Sequence, residues 1–130
     1  MTDSIARIAA SAVSAPAGHY VHATAWCDLV FVSGQLGSRS DGTHTADQPF
    51  DVQVRQALAN VLAILGEAGC GPQEALRVTA YIVGVENWPA FNRIYAEVFG
   101  EANPARAVVP VPELHQGYLV EIEAIAARTP

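Results

Sequence analysis

Two charged side chains in apolar surroundings are the strongest indication of chemistry in this chain. Arg106 follows Asn103-Pro104-Ala105 and leads into a β-rich run, whereas Glu121 lies inside the apolar segment from Leu119 to Ile125. A guanidinium or a carboxylate in such a place costs free energy unless it pairs with another group or with a ligand. The forked N–H donors of an arginine fit a carboxylate, and a glutamate a few ångströms away can orient or deprotonate water. The pair predicts a reaction site for a small carboxylate-bearing substrate, with Arg106 and Glu121 as catalytic residues.

Both residues also have simpler interpretations. Arg106 fits the end of a strand whose side chain is solvated or ion-paired. Because side chains alternate between the two faces of a strand, Glu121 and Glu123 share one face with Leu119 and Ile125. In a half-exposed strand both carboxylates would be solvated. The spacing alone leaves these alternatives open.

Four further residues are candidates for substrate binding. Ser33 and Gly34 end a strong strand, and a glycine there allows a ligand or a backbone to approach closely. A plain turn is the alternative. Tyr20 is either a core ring with a satisfied hydroxyl or a site residue. Asn92 falls in the middle of a helix, where a solvent-facing polar residue is the alternative.

The sequence predicts neither a metal site nor an organic cofactor. His19 and His22 lie on opposite sides of an ideal strand, which makes them poor joint metal ligands. His44 and His115 fall in separate loops with no partner near in sequence. The two cysteines are isolated, and the absence of lysine excludes Schiff-base chemistry on a lysine amine. There is no nucleophile elbow, phosphate-binding loop or dinucleotide glycine pattern.

Length, charge and hydropathy exclude several classes of protein. The 130 residues suit a single domain, residues 1–130, in which residues 1–17 are expected to form a poorly structured N-terminal arm with a short strand near Ile5–Ile8. The net charge of −6 argues against nucleic-acid binding, which needs a basic face. No apolar run approaches the roughly 18 residues of a membrane span, and no leader is recognised. We therefore expect a cytoplasmic protein without a membrane partner.

Periodicity and turn residues predict the elements that must position these side chains. Strands are expected at 19–24, 29–35, 74–83, 107–111 and 119–127, helices at 51–68 and 88–99, and a surface loop at 38–49. Gly69 and Gly100 are expected to end the helices, and Asn87 to cap the second. Pro110 indicates that its strand either lies at a sheet edge or ends early, because proline cannot donate to a β-ladder.

Three sets of apolar residues are expected to face the core. The first helix contributes Val54, Leu58, Val61, Leu62 and Leu65. The strand at 74–83 contributes Leu76, Val78, Ala80 and Ile82. The second helix contributes Phe91, Ile94, Tyr95 and Val98.

The order of elements favours an α+β domain, with a mixed β-sheet and both helices packed on one face. The other face of that sheet would be bare. The strands nevertheless carry apolar residues on both sides, as in the run from Leu29 to Val32. We therefore expect the second face to be buried by oligomerisation.

Six ordered motifs, spread over residues 15–127, resemble those of the YjgF/RidA family. They are Gly18-His19-Tyr20-Val21, Phe31-Val32-Ser33-Gly34-Gln35, the helix from Arg55 to Asn60, the helix from Asn92 to Phe99, Pro104-Ala105-Arg106 and the ending from Val120 to Ala126. The resemblance implies a chorismate mutase-like domain that forms a homotrimeric barrel with a cleft between each pair of neighbours. It also implies cofactor-independent enamine/imine deaminase activity.

The resemblance assigns a role to each candidate. Arg106 would hold the substrate carboxylate, and Glu121 would orient the attacking water. The remaining substrate-binding positions are Tyr20, Ser33, Gly34, Asn92 and Val108.

Several positions depart from the family pattern. Ala107-Val108 stands where many deaminating members carry Ser-Cys, and His19 and Val21 replace a proline and a serine. Pro110, Pro112, His115 and Tyr118 are also unusual. The anchor and the water-orienting glutamate are retained while the surrounding wall is altered, which indicates a divergent subgroup.

Three hypotheses follow from the sequence. The first is hydrolytic deamination of 2-enamino or 2-imino acids to 2-oxo acids and ammonia. The second is different chemistry on a larger substrate in a specialised biosynthetic pathway, on the same fold. The third is a non-catalytic trimeric module that binds a ligand.

Overall fold

The computed structural model describes residues 4–128, which form a six-stranded sheet with two helices on one face. The strands are β1 (Ala6–Ile8), β2 (Ala23–Trp26), β3 (Leu29–Gln35), β4 (Ala75–Val83), β5 (Ala105–Val111) and β6 (Val120–Ala127). The helices are α1 (Phe50–Glu67) and α2 (Trp88–Phe99). Short 3₁₀ turns occupy Pro72–Glu74, Val85–Asn87 and His115–Gly117. The α+β prediction is confirmed.

The sheet has the order β1-β2-β3-β6-β4-β5. Its pairs are antiparallel except β4 and β5, which run parallel because the α2 crossover returns the chain in the same direction. β5 forms one edge, as Pro110 predicts. The crossover through α1 leaves a gap between β3 and β4, and the last strand, β6, fills it. Glu121 is thereby placed in the interior of the sheet and Arg106 at its margin.

The core lies between the sheet and the two helices. Val54, Leu58, Val61 and Leu65 of α1 have no exposed surface, and neither do Val120 and Ile122 of β6. Alternate residues of β6 thus face the helices, which leaves Glu121 and Glu123 on the opposite face, as the alternation predicts. Burial of each such Val, Leu or Ile side chain contributes about 1.5–3 kcal/mol to the free energy of folding.

The opposite face of the sheet carries large apolar side chains that one protomer does not cover. Trp26 and Phe31 are 48% and 42% exposed, and Val109 on β5 is 37% exposed. Such a face is typical of a surface that is buried by another subunit. Oligomerisation therefore stays a prediction, and the exposed apolar face is the physical reason for it.

The N-terminal arm is better structured than the sequence predicts. The expected short strand is β1, and Ala10 and Val13 are only 4% and 6% exposed. The buried His22 ties the arm down, because its Nδ1 accepts a hydrogen bond from the Ala10 N–H at 2.9 Å and its Nε2 donates to the Ser14 carbonyl at 2.8 Å. The prediction of a poorly structured arm is wrong for residues 4–17, and residues 1–3 lie outside the described chain.

Two local predictions were wrong. The strand expected at 19–24 begins only at Ala23, because the chain turns first, with the Tyr20 N–H bonded to the Gly18 carbonyl at 3.0 Å. Leu76 is 48% exposed, since the β4–β6 ladder skips it at an irregularity between Ala75 and Arg77.

Near α2 the differences are smaller. Phe99 rather than Val98 is fully buried at the C-terminal end of the helix. Asn87 precedes α2, but its side chain donates to the Val83 carbonyl at 2.9 Å and does not cap the helix. Among residues 4–128, no helix combines the length and the apolar character that crossing a bilayer requires.

Candidate active site

Glu121 lies at a cavity on the face of the sheet opposite the helices. The cavity has a volume of about 330 Å³. Its walls come from the N-terminal arm, the end of β3, the loop between β3 and α1, and the turn before β6. The polar side chains that line it are Ser14, Tyr20, His22, Gln35, Ser38, His44, His115, Gln116 and Glu121.

The end of β3 is shaped to admit the Glu121 carboxylate. The β3–β6 ladder shifts register between Val32 and Gln35, which moves Ser33 and Gly34 out of regular pairing. A Cβ on Gly34 would lie 3.0 Å from Oε2 of Glu121. Ser33 fixes this bulge, because its Oγ donates to the Val21 carbonyl at 2.7 Å. Gly34, which has no Cβ, therefore leaves space for the Glu121 carboxylate, and the Ser33 hydrogen bond holds the bulge in place.

The pKa of Glu121 is raised from its ordinary value of 4.5. Burial is the main cause, because a half-desolvated carboxylate is less stable in its charged form, and the nearby Glu123 carboxylate adds repulsion. The His115 imidazole acts in the opposite direction. Glu121 is consequently a better proton acceptor than a solvated glutamate.

Tyr20 lies at the rim of this cavity. Its side chain is 47% exposed, so the alternative of a core ring is wrong. Its hydroxyl accepts a hydrogen bond from the Ala17 N–H at 3.4 Å. Tyr20 also lines an adjoining cavity of about 460 Å³, together with Ser33, His19 and Val21. Tyr20 and Ser33 thus lie on the Glu121 side of the molecule.

Arg106 lies in a different environment, at the edge strand β5. Its guanidinium carbon lies 5.0 Å from the ring centroid of Tyr95 and 5.8 Å from that of Phe91, both on α2. Such stacking orients a cation without neutralising it. No residue within 4–128 forms a hydrogen bond or an ion pair with the Arg106 side chain. Arg106 lines a cavity of about 320 Å³, together with Asn92 and Asn103.

Within one protomer, Arg106 and Glu121 do not share a cavity. Arg106 pairs in the β4–β5 ladder with Val78, which is fully buried on the helix side of the sheet. Glu121 pairs with Tyr81 and lies on the other side, between the buried Val120 and Ile122. The two residues thus belong to opposite faces of the sheet, two strands apart. A joint site requires a second protomer.

Val108 and Asn92 lie on the Arg106 side. Asn92 is exposed, as the solvent-facing alternative expects, and it also lines the Arg106 cavity, so its predicted role stays a prediction. Val108 pairs with Ala80 and packs partly buried against the core, and it lines none of the described cavities. Its predicted role in the cleft stays a prediction.

Local sequence pattern did not predict that His44 and His115 line the cavity of Glu121, or that Tyr118 holds His44 there. Tyr118 is 1% exposed, and its hydroxyl contacts His44 Nδ1 at 2.8 Å, the Thr45 N–H at 3.1 Å and Ser38 Oγ at 3.3 Å. These contacts span more than 70 positions of sequence. The available signal was that His115 and Tyr118 depart from the family pattern. Across residues 4–128, no three His, Cys, Asp or Glu side chains cluster as a metal site would need.

Comparisons with known proteins agree with the α+β fold. A family model described as endoribonuclease L-PSP matches residues 10–128. A RutC family protein of Pyrococcus horikoshii is 36% identical over 113 residues, or 87% of this chain and 90% of the relative. A 2-iminobutanoate/2-iminopropanoate deaminase of Capra hircus is 33% identical over 129 residues, or 98% and 94% of the two chains. The crystal structure of E. coli TdcF with bound serine has a TM-score of 0.90 at 29% identity, covering 95% of this chain and 99% of that one.

Proposed function

This chain belongs to the endoribonuclease L-PSP family, which is the YjgF/RidA family, and from that premise we propose that it hydrolyses 2-enamino and 2-imino acids to 2-oxo acids and ammonia. The observation that carries the proposal is the Arg106 guanidinium, which is oriented by two aromatic rings and left without an anionic partner within residues 4–128. A cation held in this way is a ready anchor for a carboxylate.

Two relatives support the choice of substrate class. The protein of Capra hircus is a 2-iminobutanoate/2-iminopropanoate deaminase, and its similarity extends over 98% of this chain. E. coli TdcF was crystallised with serine, a small molecule that carries a carboxylate and an amino group. Both ligand types present the acid group that Arg106 would bind.

The proposed active site is a cleft between two protomers. One protomer supplies Arg106 and Asn92 from its sheet edge and α2, and its neighbour supplies Glu121, Tyr20 and the Ser33-Gly34 bulge. A heterologous interface that closes on itself gives a ring, and a homotrimer would hold three identical clefts. The apolar side chains on the open face of the sheet, Trp26, Phe31 and Val109, provide the area that such an assembly would bury.

The reaction follows from placing the substrate between these groups. Arg106 binds the carboxylate through two N–H donors and so fixes the imine carbon near Glu121. After the enamine tautomerises to the imine, water held by Glu121 adds its oxygen to the C=N carbon. The resulting hemiaminal then loses ammonia by cleavage of its C–N bond and leaves a 2-oxo acid. Positioning supplies much of the acceleration, because the imine is already electrophilic.

Mixing two inactive variants tests the shared cleft directly. Arg106→Ala and Glu121→Gln protomers should each release little ammonia from 2-iminopropionate on their own. When the two are refolded together, some clefts combine Arg106 of one protomer with Glu121 of the other. In a closed trimer formed from equal amounts, about a quarter of the clefts become complete. Ammonia release should recover to about that fraction.

A matched control distinguishes this recovery from a general effect of mixing. Arg106→Ala refolded with the double variant Arg106→Ala/Glu121→Gln contains no complete cleft and should stay inactive. Differently tagged protomers verify that mixed oligomers have formed. If mixed oligomers form and no activity returns, the cleft is not shared as proposed. If unmodified protein releases no ammonia, the reaction itself is wrong.

A second candidate function is favoured by the size and polarity of the Glu121 cavity. That cavity of about 330 Å³ extends beyond Glu121 to His44, His115 and Gln116, which is more polar wall than 2-iminopropionate needs. A larger substrate of a specialised pathway would use this space. Turnover of imino acids with long polar side groups, in preference to 2-aminoacrylate, would support this candidate.

Two remaining alternatives are separated by simple measurements. For a non-catalytic binding module, Glu121→Gln would leave ligand affinity intact and no turnover would be found in the unmodified protein. The family description refers to RNA cleavage. For this chain the net charge of −6 offers little attraction to a polyanion. Incubation with labelled RNA tests that activity.

A further inference from the structure

His115 lies in the turn that leads into β6 and lines the same cavity as Glu121. Its side chain is exposed, and no residue within 4–128 forms a hydrogen bond with its imidazole ring. The other histidines of the cavity are engaged. Both ring nitrogens of His22 are bonded to backbone groups of the arm, and Nδ1 of His44 is bonded to the Tyr118 hydroxyl. His115 is therefore the imidazole of this cavity with both nitrogens available.

The turn that carries His115 is held in an unusual backbone conformation. Gln116 has φ 57° and ψ 23°, which is uncommon for a residue with a side chain, and Gly117 has φ 77°. Residues kept in such regions are stabilised by their surroundings and cluster at functional sites.

Contacts of Tyr118 hold this turn in place. The Tyr118 N–H donates to the His115 carbonyl at 3.2 Å, and the buried Tyr118 ring is anchored through its hydroxyl to the loop between β3 and α1. His115 is thus presented at the cavity from a fixed support.

The proposed hydrolysis needs two proton transfers at different atoms. The attacking water must lose a proton, and the imine nitrogen must gain one. Glu121 serves the oxygen. A single carboxylate on one side of the imine is poorly placed to accept a proton from the water oxygen and deliver one to the imine nitrogen in the same step. A second acid–base group in the same cavity would therefore protonate the nitrogen.

We propose that His115 is that second catalytic group, a proposal that rests on the proposed function. As water adds, Glu121 takes a proton from the oxygen while the His115 imidazolium gives a proton to the imine nitrogen, and a hemiaminal forms. In the collapse, Glu121 returns its proton to the amino nitrogen as the C–N bond breaks. His115 takes the hydroxyl proton as the carbonyl forms. The products are a 2-oxo acid and ammonia, and both side chains regain their initial states.

The electrostatics of the cavity are consistent with this arrangement. The His115 imidazole opposes the rise in the pKa of Glu121, so the two groups interact across the cavity. Other titratable groups that face His115 from neighbouring elements are Tyr20, His22 and His44. Glu123 follows on the same face of β6 and also interacts with Glu121.

The test compares His115→Gln with the unmodified protein in the ammonia-release assay. We expect kcat to fall on the order of 100-fold, with the binding of a non-reactive carboxylate unchanged. Free imidazole should restore part of the activity of His115→Ala, which a purely structural role would not allow.

Glu113→Gln serves as the matched control, since Glu113 is exposed in the same connection and lines none of the described cavities. It should keep full activity. If His115→Gln retains its kcat while the unmodified protein is active, the role of His115 is refuted and the deaminase proposal stands. An inactive unmodified protein overturns both.

Discussion

The Glu121 half and the Arg106 half of the candidate site are built in opposite ways. Glu121 lies in the interior of the sheet, half-buried above Gly34 and surrounded by walls from four segments. Arg106 lies on an edge strand, exposed and oriented only by the rings of Tyr95 and Phe91. The cavity around Glu121 is formed by one protomer alone, whereas the Arg106 guanidinium has no anionic partner within residues 4–128. Under the proposed function, catalysis would be organised around the carboxylate, and the guanidinium of a neighbouring protomer would complete the site.

The largest expected effect within the organised half comes from Glu121→Gln. We expect kcat/KM to fall on the order of 100-fold, because the amide cannot accept a proton from water. In the unmodified protein the activity should decline as the pH falls through the raised pKa of Glu121, at a pH above the ordinary carboxyl value of 4.5. That acid limb should be absent from the variant. An unchanged limb would show that another group titrates.

The same variant should be more stable than the unmodified protein at neutral pH. A carboxyl whose pKa is raised on folding favours the folded state at low pH and disfavours it as the pH rises through the folded-state pKa. Thermal unfolding should therefore show a higher Tm for Glu121→Gln at pH 7 and a converging Tm below pH 4. A lower Tm at pH 7 would contradict the burial argument.

A smaller effect is expected from Gly34→Ala, which tests the fit between β3 and Glu121. The added Cβ would lie 3.0 Å from Oε2, so the carboxylate must move by a few tenths of an ångström. We expect kcat to fall about tenfold, since small displacements of a catalytic group are costly. Gly37→Ala is not a suitable control, because its added Cβ would lie 2.9 Å from the backbone oxygen of Gln53. In Gly66→Ala the added Cβ has no atom within 4 Å, so this control should leave kcat unchanged.

The Arg106 half should respond mainly in KM. Tyr95→Leu removes one ring of the stack, which is worth about 0.5–1 kcal/mol at an exposed site, so KM should rise about threefold with little change in kcat. Tyr95→Phe keeps the ring and removes a buried hydroxyl that has no partner within residues 4–128. It should leave KM unchanged and raise stability by about 1 kcal/mol. A raised KM in Tyr95→Phe would show that the hydroxyl contacts the substrate.

The smallest effect is expected from Glu123→Gln. The Glu123 carboxylate helps to raise the pKa of Glu121, so its removal should move the acid limb of the pH profile to lower pH. The plateau activity should not change, since Glu123 is exposed on the open face of β6. A loss of plateau activity would give Glu123 a direct role.

The secondary structure was largely predictable from local pattern. The strand at 29–35 and the helix at 88–99 match β3 and α2 residue for residue, because branched runs, helical spacing and glycine ends are local signals. The edge position of β5 followed from Pro110. Failures occurred where distant contacts override local pattern, as at the arm, which is ordered by His22, and at Leu76, which the β6 register leaves outside the ladder.

By itself, the sequence determined which residues have the chemistry for this site, because the types and spacing of Arg106, Glu121, Ser33 and Gly34 are properties of the chain. Only the tertiary structure decided that Arg106 and Glu121 belong to opposite faces of the sheet. It also brought His44, from the loop between β3 and α1, to the cavity that Glu121 and His115 line. The physical reason is that strand order and register are set by packing over the whole sheet, and no local pattern records them.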